Sequence, residues 1–420
     1  MILSNVSVPL LGLVDTAVVG HLDQNWYLGA VAVGAMIFSF LYNGVNFLRM
    51  GTTGVAAQAF GAGDAHAVNR SLKEALIVGL AIGLLMLVLS SWLREFSLHL
   101  MGPEPAVYRE ASVYFDIRIF SAPATLLSYV FIGWFLGLSN AKAPLIIVLV
   151  INLSNIVLDL LFVLGLGMTT NGVALASVIA EYLGLATAIV LARKALAQWP
   201  ATISLNELLN AQQYKRYFTV NANIFVRTLA LMFTLFFMTA QSARLGTVVL
   251  AANSILLNLQ LLTAYLLDAL AHAAEALVGK TEGQKDRKAM AKVVKRIFRW
   301  AALIAAVITL VFFLGGNALI ALLTSLEDVR VMAGVFLIWL VISPLVSVWS
   351  FIYDGVFIGA TWAREMRNAM LLSTFFVFLP VWWLSQPLGN HGLWLAFTLF
   401  MLARAVGMHG YYLKLLRSPA

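Results

Sequence analysis

Apolar residues run along this chain in long unbroken blocks, separated by short polar segments. Twelve blocks lie at about 2–20, 29–60, 75–93, 112–137, 143–165, 171–192, 218–243, 247–279, 300–323, 331–358, 368–386 and 391–414. About 20 apolar residues suffice to cross a bilayer as an α-helix. A membrane β-barrel writes a different pattern, segments of about ten residues that alternate apolar and polar. The blocks therefore predict an all-α integral membrane protein with twelve transmembrane helices.

Composition strengthens this reading. Hydrophobic residues make up 61% of the chain and charged residues 11%, against about 45–50% and about 25% in soluble domains. Too little polar surface is available to cover a soluble globule, which excludes an ordinary cytosolic enzyme and a disordered scaffold. Cysteine is absent, which removes disulfides, thiolate metal sites and cysteine nucleophiles. The apolar stretch from Ile2 lacks a basic leader and runs into further spans, so no cleavable signal peptide is expected.

A net charge of +8 first suggests nucleic acid, but its distribution argues otherwise. Of the 27 Lys and Arg, 19 fall in alternate loops: Arg70, Lys73, Lys142, Arg193, Lys194, Lys215, Arg216, the run from Lys280 to Arg299, Arg364, Arg367, Lys414 and Arg417. The opposite loops hold only Arg94, Arg109, Arg244 and Arg330. Positive charge marks the cytoplasmic side, so both termini are expected in the cytoplasm. The charge then reflects orientation and contact with anionic lipid, with no nucleic-acid partner. The longest loop predicts a division into an N-lobe over 1–195, a cytoplasmic linker over 196–217 and a C-lobe over 218–420. The basic stretch 280–299 is expected as an amphipathic helix on the inner leaflet. A cytoplasmic extension of the neighbouring span is the alternative.

The two halves repeat each other at an offset of about 217–222 residues. Ala56-Ala57-Gln58-Ala59-Phe60 matches Ala273-Ala274-Glu275-Ala276-Leu277. Ser121-Ala122-Pro123 matches Ile342-Ser343-Pro344, and Asn171-Gly172-Val173-Ala174-Leu175-Ala176 matches His391-Gly392-Leu393-Trp394-Leu395-Ala396. Three matches in order indicate an internal duplication. Six spans per half is an even number, so both halves enter the membrane in one direction, related by a pseudo-twofold axis along its normal. Two parallel six-helix bundles suit an alternating-access transporter.

Ionisable groups inside a bilayer are costly and mark function. Asp15, Arg49, Asp116, Arg118, Asp159, Glu181, Arg227, Asp268, His272, Glu275, Asp354 and Arg404 fall within spans. Those near span ends, Asp116, Arg118, Arg227 and Arg404, can snorkel to the interface. At 1.5 Å per residue, Asp15, Asp159 and Ser177 lie roughly 7–9 Å below the outer ends of spans 1, 5 and 6. Asn155 precedes Asp159 by one turn and projects from the same face. Two carboxylates, an amide and a hydroxyl at one level suit a proton site, because two buried carboxylates resist simultaneous ionisation. They are also hard oxygen ligands for sodium. Glu181 lies one turn beyond Ser177, as a carboxylate able to meet a cationic substrate. Asp268, His272 and Glu275 share a helix face at a different depth. Together with Asp354 they read as a gating or structural ion-pair cluster, with Arg49 as a possible partner; His272 and Glu275 alone are too few for a metal. Gly61-Ala62-Gly63-Asp64 lacks the Gly-Lys-Ser/Thr ending of a phosphate loop. Energy would then come from an ion gradient, with no cofactor.

Four stretches resemble the multidrug and toxic compound extrusion (MATE) transporters, in their DinF-like branch: Val8–Ala17, Thr52–Gly61, Asn152–Asp159 and Asn171–Ser177. The resemblance implies a V-shaped pair of six-helix lobes in the bacterial cytoplasmic (inner) membrane; a monomer is the default expectation for its oligomeric state. It implies export of amphipathic, often cationic compounds in exchange for H⁺ or Na⁺. It puts the coupling ion on Asp15, Asp159, Asn155 and Ser177; the last is usually Thr in relatives, and Ser keeps the hydroxyl. Tyr114 is the candidate for a tyrosine that joins this network. In the other branch, C-lobe acids bind Na⁺, and Asp354 is the nearest match. Relatives carry a cytoplasmic segment and a proline at the start of helix 1 that this chain begins too late to contain; Pro9 is left as the residue that would kink the first span. A lipid-linked oligosaccharide flippase of the same superfamily is the rival reading, and an intramembrane enzyme a third, for which no complete nucleophile–base set is evident.

Overall fold

Inside a bilayer every backbone N–H and C=O must find its partner within the protein. In the computed structural model, which describes residues 24–208 and 210–417, the regular elements are all helical. Eleven are long and apolar enough to cross a membrane. They are α1 (Trp26–Gly61), α2 (Ala65–Val88), α4 (Pro105–Gly137), α5 (Lys142–Gly165), α6 (Thr170–Leu196), α7 (Tyr217–Arg244), α8 (Thr247–Gly283), α9 (Arg287–Leu323), α10 (Glu327–Gly359), α11 (Ala363–Leu384) and α12 (Asn390–Arg417). The short α3 (Ser90–Met101) follows α2. The first expected span, with Asp15, lies outside the described residues.

The chain divides into two compact units, one ending at Lys215 and the other beginning at Arg216. The segment before the boundary is pinned to the first unit. Asn69 Nδ2 donates to Trp199 O at 2.7 Å, and His66 meets Glu207 at 2.9 Å. The Ser204 hydroxyl donates to Glu207 and holds its carboxyl below the usual range.

The duplication is visible in each unit's backbone. Left-handed residues recur 222 positions apart: Gly63 and Lys285, Ser139 and Thr361, Gly167 and Gly389. Asp64 caps α2 by accepting from Ala67 N at 2.9 Å, and Asp286 caps α9 by accepting from Ala289 N at 2.8 Å. Gly61-Ala62-Gly63-Asp64 is thus a capped interhelical turn. Close helix packing repeats as well. Gly133 and Gly137 of α4 lie against the α1 backbone, where an added Cβ would stand 2.3 Å from Arg49 O and 2.8 Å from Thr53 O. Gly355 and Gly359 of α10 lie against α8, 2.3 Å from Ala271 O and 2.4 Å from Glu275 O. Glycine pairs four residues apart let helix backbones touch where lipid supplies no hydrophobic drive to associate.

The basic stretch 280–299 is not a separate helix lying on the membrane. Arg287–Leu323 is one helix of 37 residues, about 55 Å long, well beyond the length a bilayer core requires. Its charged first turns extend the span, which is the alternative reading of that segment.

These contacts predict a position-specific effect. Gly355→Ala forces the α8 and α10 backbones apart and is expected to cost about 1–3 kcal/mol. Gly315→Ala, with nothing within 4 Å of the new methyl, is expected to be neutral or mildly stabilising. Thermal unfolding of the detergent-purified variants reads the difference, and equal midpoints would contradict the packing argument.

Candidate functional site

The Asn155-x-x-x-Asp159 spacing places both side chains one turn apart on the last α-helical turn of α5. Immediately beyond, Leu160–Gly165 forms a π-helical turn. Such widened turns loosen the regular hydrogen-bond ladder and recur at functional sites. Asn155 and Asp159 are buried, as is Ser177 on the neighbouring α6. In the amide orientation that satisfies both of its polar atoms, Asn155 donates to Asp159 Oδ2 at 3.2 Å. Its oxygen accepts from Ser177 N and Ser177 Oγ, each at 3.2 Å. The amide therefore links carboxylate and hydroxyl, and the residues predicted on α5 and α6 do converge. Asp15, the fourth predicted member, lies outside the described residues.

Tyr114 is buried on α4, with its ring against Phe38 at 6.3 Å. Gly34 makes room for it: a Cβ there would stand 2.3 Å from the Tyr114 ring. Four residues earlier on α4, Glu110 accepts from Thr170 Oγ1 at 2.9 Å, tying α4 to the start of α6. Glu110 lies just outside the predicted fourth span, so its position near a loop hid this role.

Glu181 is directed elsewhere. It pairs with Arg118 at 3.9 Å, and both are largely shielded. Arg118 also donates to Ser121 Oγ at 3.1 Å and lies over the Phe38 and Tyr42 rings. Tyr42 OH shares Ser121 Oγ at 2.8 Å. Arg118 thus sits in a polar–aromatic network instead of snorkelling, and Glu181 faces a cation of the protein itself. Asp116, by contrast, is at the surface and accepts from Arg94 of α3 at 2.6 Å. Arg49 is buried on α1 and donates through Nε to Asn46 Oδ1 at 3.3 Å.

The second unit contains a constellation that sequence spacing did not reveal. Asp354 of α10 accepts from Arg404 of α12 at 2.7 Å and from Arg227 of α7. All three are buried, and Arg404 also lies over the Phe400 ring at 5.5 Å. The sequence pattern grouped Asp354 with Asp268, His272 and Glu275 and let Arg227 and Arg404 snorkel, whereas both arginines are buried on Asp354; partners 50 and 127 residues away leave no local signature. Two guanidiniums and one carboxylate carry a net positive charge, which repels a metal cation. Asp268 and His272 are half-buried on α8 and Glu275 is buried there. Among the described residues, no group of three His, Cys, Asp or Glu is arranged to hold a metal ion.

Breaking a buried ion pair by removing one partner typically costs about 3–5 kcal/mol. Asp354→Asn leaves two guanidiniums facing a neutral amide, and a loss in that range is expected. Unfolding of the purified variant tests this, and an unchanged midpoint would show that the triad does not hold α7, α10 and α12 together.

Comparison with known proteins follows the same lines. A family model described as MatE matches residues 1–161 and 224–384. Over 409 residues the chain is 42% identical to the DNA damage-inducible protein F of Escherichia coli (strain K12), covering 97% of this chain and 89% of that protein. It is 27% identical over 435 residues to the multidrug resistance protein NorM of Vibrio cholerae, covering 99% and 93%. The crystal structure of the Vibrio cholerae MATE transporter VcmN in the bent form superposes with a TM-score of 0.87 at 23% identity, covering 100% of this chain and 95% of that one. That likeness concerns the fold alone.

Proposed function

The chain belongs to the MatE family of membrane transporters, and we propose that it is a secondary active antiporter exporting amphipathic, often cationic compounds in exchange for protons. The multidrug designation of the NorM relative supports the substrate class. The loop charge asymmetry supports a bacterial cytoplasmic membrane location with both termini inside. We take the transporting unit to be a monomer, with lipid and small-molecule substrates as its partners and no nucleic acid.

The observation that carries the reading is the Asn155–Asp159–Ser177 cluster inside the first unit. An ionised Asp159 only accepts hydrogen bonds, whereas a protonated one also donates. Loading a proton from outside therefore changes the bond from Asn155 and, through that amide, the link to Ser177. A hydrogen bond to a charged group is worth about 1.5–3 kcal/mol. The π-turn directly after Asp159 gives α5 a place to re-register when that bond is lost. Asp15, brought by the family resemblance to the same site, would share the proton. Rearrangement of this cluster would then bias an alternating-access cycle toward drug release.

Sodium is the second reading, because carboxylate, amide and hydroxyl oxygens also suit a hard cation. The paired state of Asp354 argues against a sodium site there. It also weakens the flippase alternative, since Arg227 and Arg404 are engaged by Asp354 and Arg118 is paired with Glu181.

Transport of a fluorescent cationic drug in membrane vesicles, under an imposed ΔpH or an imposed Na⁺ gradient, separates these readings. ΔpH-driven movement is expected to fall at least about tenfold in Asp159→Asn, at unchanged expression. Ser177→Thr, which keeps the hydroxyl, should retain it. Movement driven only by Na⁺, or a fully active Asp159→Asn, would reject proton coupling at this cluster.

A further inference from the structure

The second unit carries a groove whose lining includes none of the residues of the Asp354 triad. A cavity of about 640 Å³ opens between α9, α10 and α12. Lys295 and Arg299 form one rim, one helical turn apart on α9 and both exposed. His409 of α12 completes that end; its Nδ1 is held by Tyr353 OH at 2.5 Å. Among the described residues, no carboxylate lines the cavity. The rest of the wall is apolar, and Trp349, Leu402 and Val406 are exposed there, at 41%, 42% and 63%.

The depth of this groove follows from α9 itself. From Trp300 to Leu323 the helix carries no charged residue, a stretch of roughly 36 Å that matches a bilayer core of about 30 Å. Arg299 is the last charge before that stretch, so the cationic rim lies at headgroup level. Leu303, Val307 and Leu310 continue outward-facing along α9 beyond it. A cation pair at the headgroup plane that opens onto an apolar, exposed wall has two halves of opposite character. A soluble anion would fill only the first half, and an apolar or cationic drug would be mismatched to the rim.

We infer that this groove is a binding site for an anionic glycerophospholipid, its phosphate on Lys295 and Arg299 and an acyl chain along Trp349, Leu402 and Val406. The Arg299 guanidinium can take two phosphate oxygens through parallel N–H donors, and the Lys295 ammonium adds a point charge. A basic pocket between spans at the cytoplasmic level is suited to such headgroups. The lipid would brace the junction of α9, α10 and α12, the last two of which carry Asp354 and Arg404.

Native mass spectrometry of the detergent-purified full chain tests the site, with phosphatidylglycerol, phosphatidylcholine and glycerol phosphate as separate probes. Retention of phosphatidylglycerol over phosphatidylcholine by at least about tenfold is expected, with no retention of glycerol phosphate. Lys295→Gln with Arg299→Gln should reduce phosphatidylglycerol retention on the order of tenfold. Lys288→Gln with Lys292→Gln, on the same helix but outside the groove, should leave it unchanged. Val406→Trp, which fills the apolar wall and keeps both cations, should lower retention as well and provides a second route if the charge variant fails to fold. Equal loss in both glutamine pairs would mean general charge attraction and would overturn the site. So would equal retention of the two lipids, binding of glycerol phosphate alone, or indifference to Val406→Trp.

Discussion

A bilayer core offers no water to a charge, so every ionisable side chain held within it must be answered by the protein around it. That constraint organises this molecule. In the second unit the answer is an ion pair doubled: Arg227 and Arg404 both bond to Asp354. In the first unit Arg118 answers Glu181, while Asp159 is answered by a neutral amide that also reaches a hydroxyl. Asp354 and Glu181 each face guanidinium cations of the protein itself. A carboxylate whose partner is a neutral amide, itself bonded to a hydroxyl, faces no fixed opposite charge across that bond.

The scaffold is duplicated, but its chemistry is not. Caps, left-handed turns and glycine contacts recur 222 residues apart. At that same offset Arg49 corresponds to Ala271, and Asp354 to Ile132. Packing and turn geometry are demanded equally of both copies, so those residues persist in both. Charges are free to differ between the two copies.

Much of this was legible in the sequence because the bilayer writes long-range rules in local form. Apolar blocks of spanning length predicted the helices, and the four-residue spacing of Asn155 and Asp159 predicted their common face. Depth counted along spans 5 and 6 brought Ser177 to the same level. Other features depend on contacts that no spacing encodes. The Asp354 triad joins three helices far apart in the chain, and Glu181 meets Arg118 across α4 and α6. The basic stretch 280–299 was ambiguous because an amphipathic surface helix and the charged end of a long span share one pattern. Only the continuity of α9 through Arg287–Leu323 separates them.

The central claim is that substrate and proton are linked through the Asp159 cluster. The most direct measurement is the number of protons released when a cationic substrate binds the detergent-purified protein, obtained by calorimetry in buffers of different ionisation heat. The account predicts release of about one proton in the native chain, unaffected by Na⁺ and abolished in Asp159→Asn with substrate binding retained. Release that persists in the variant, or no release with Na⁺ competing for substrate binding instead, would contradict it.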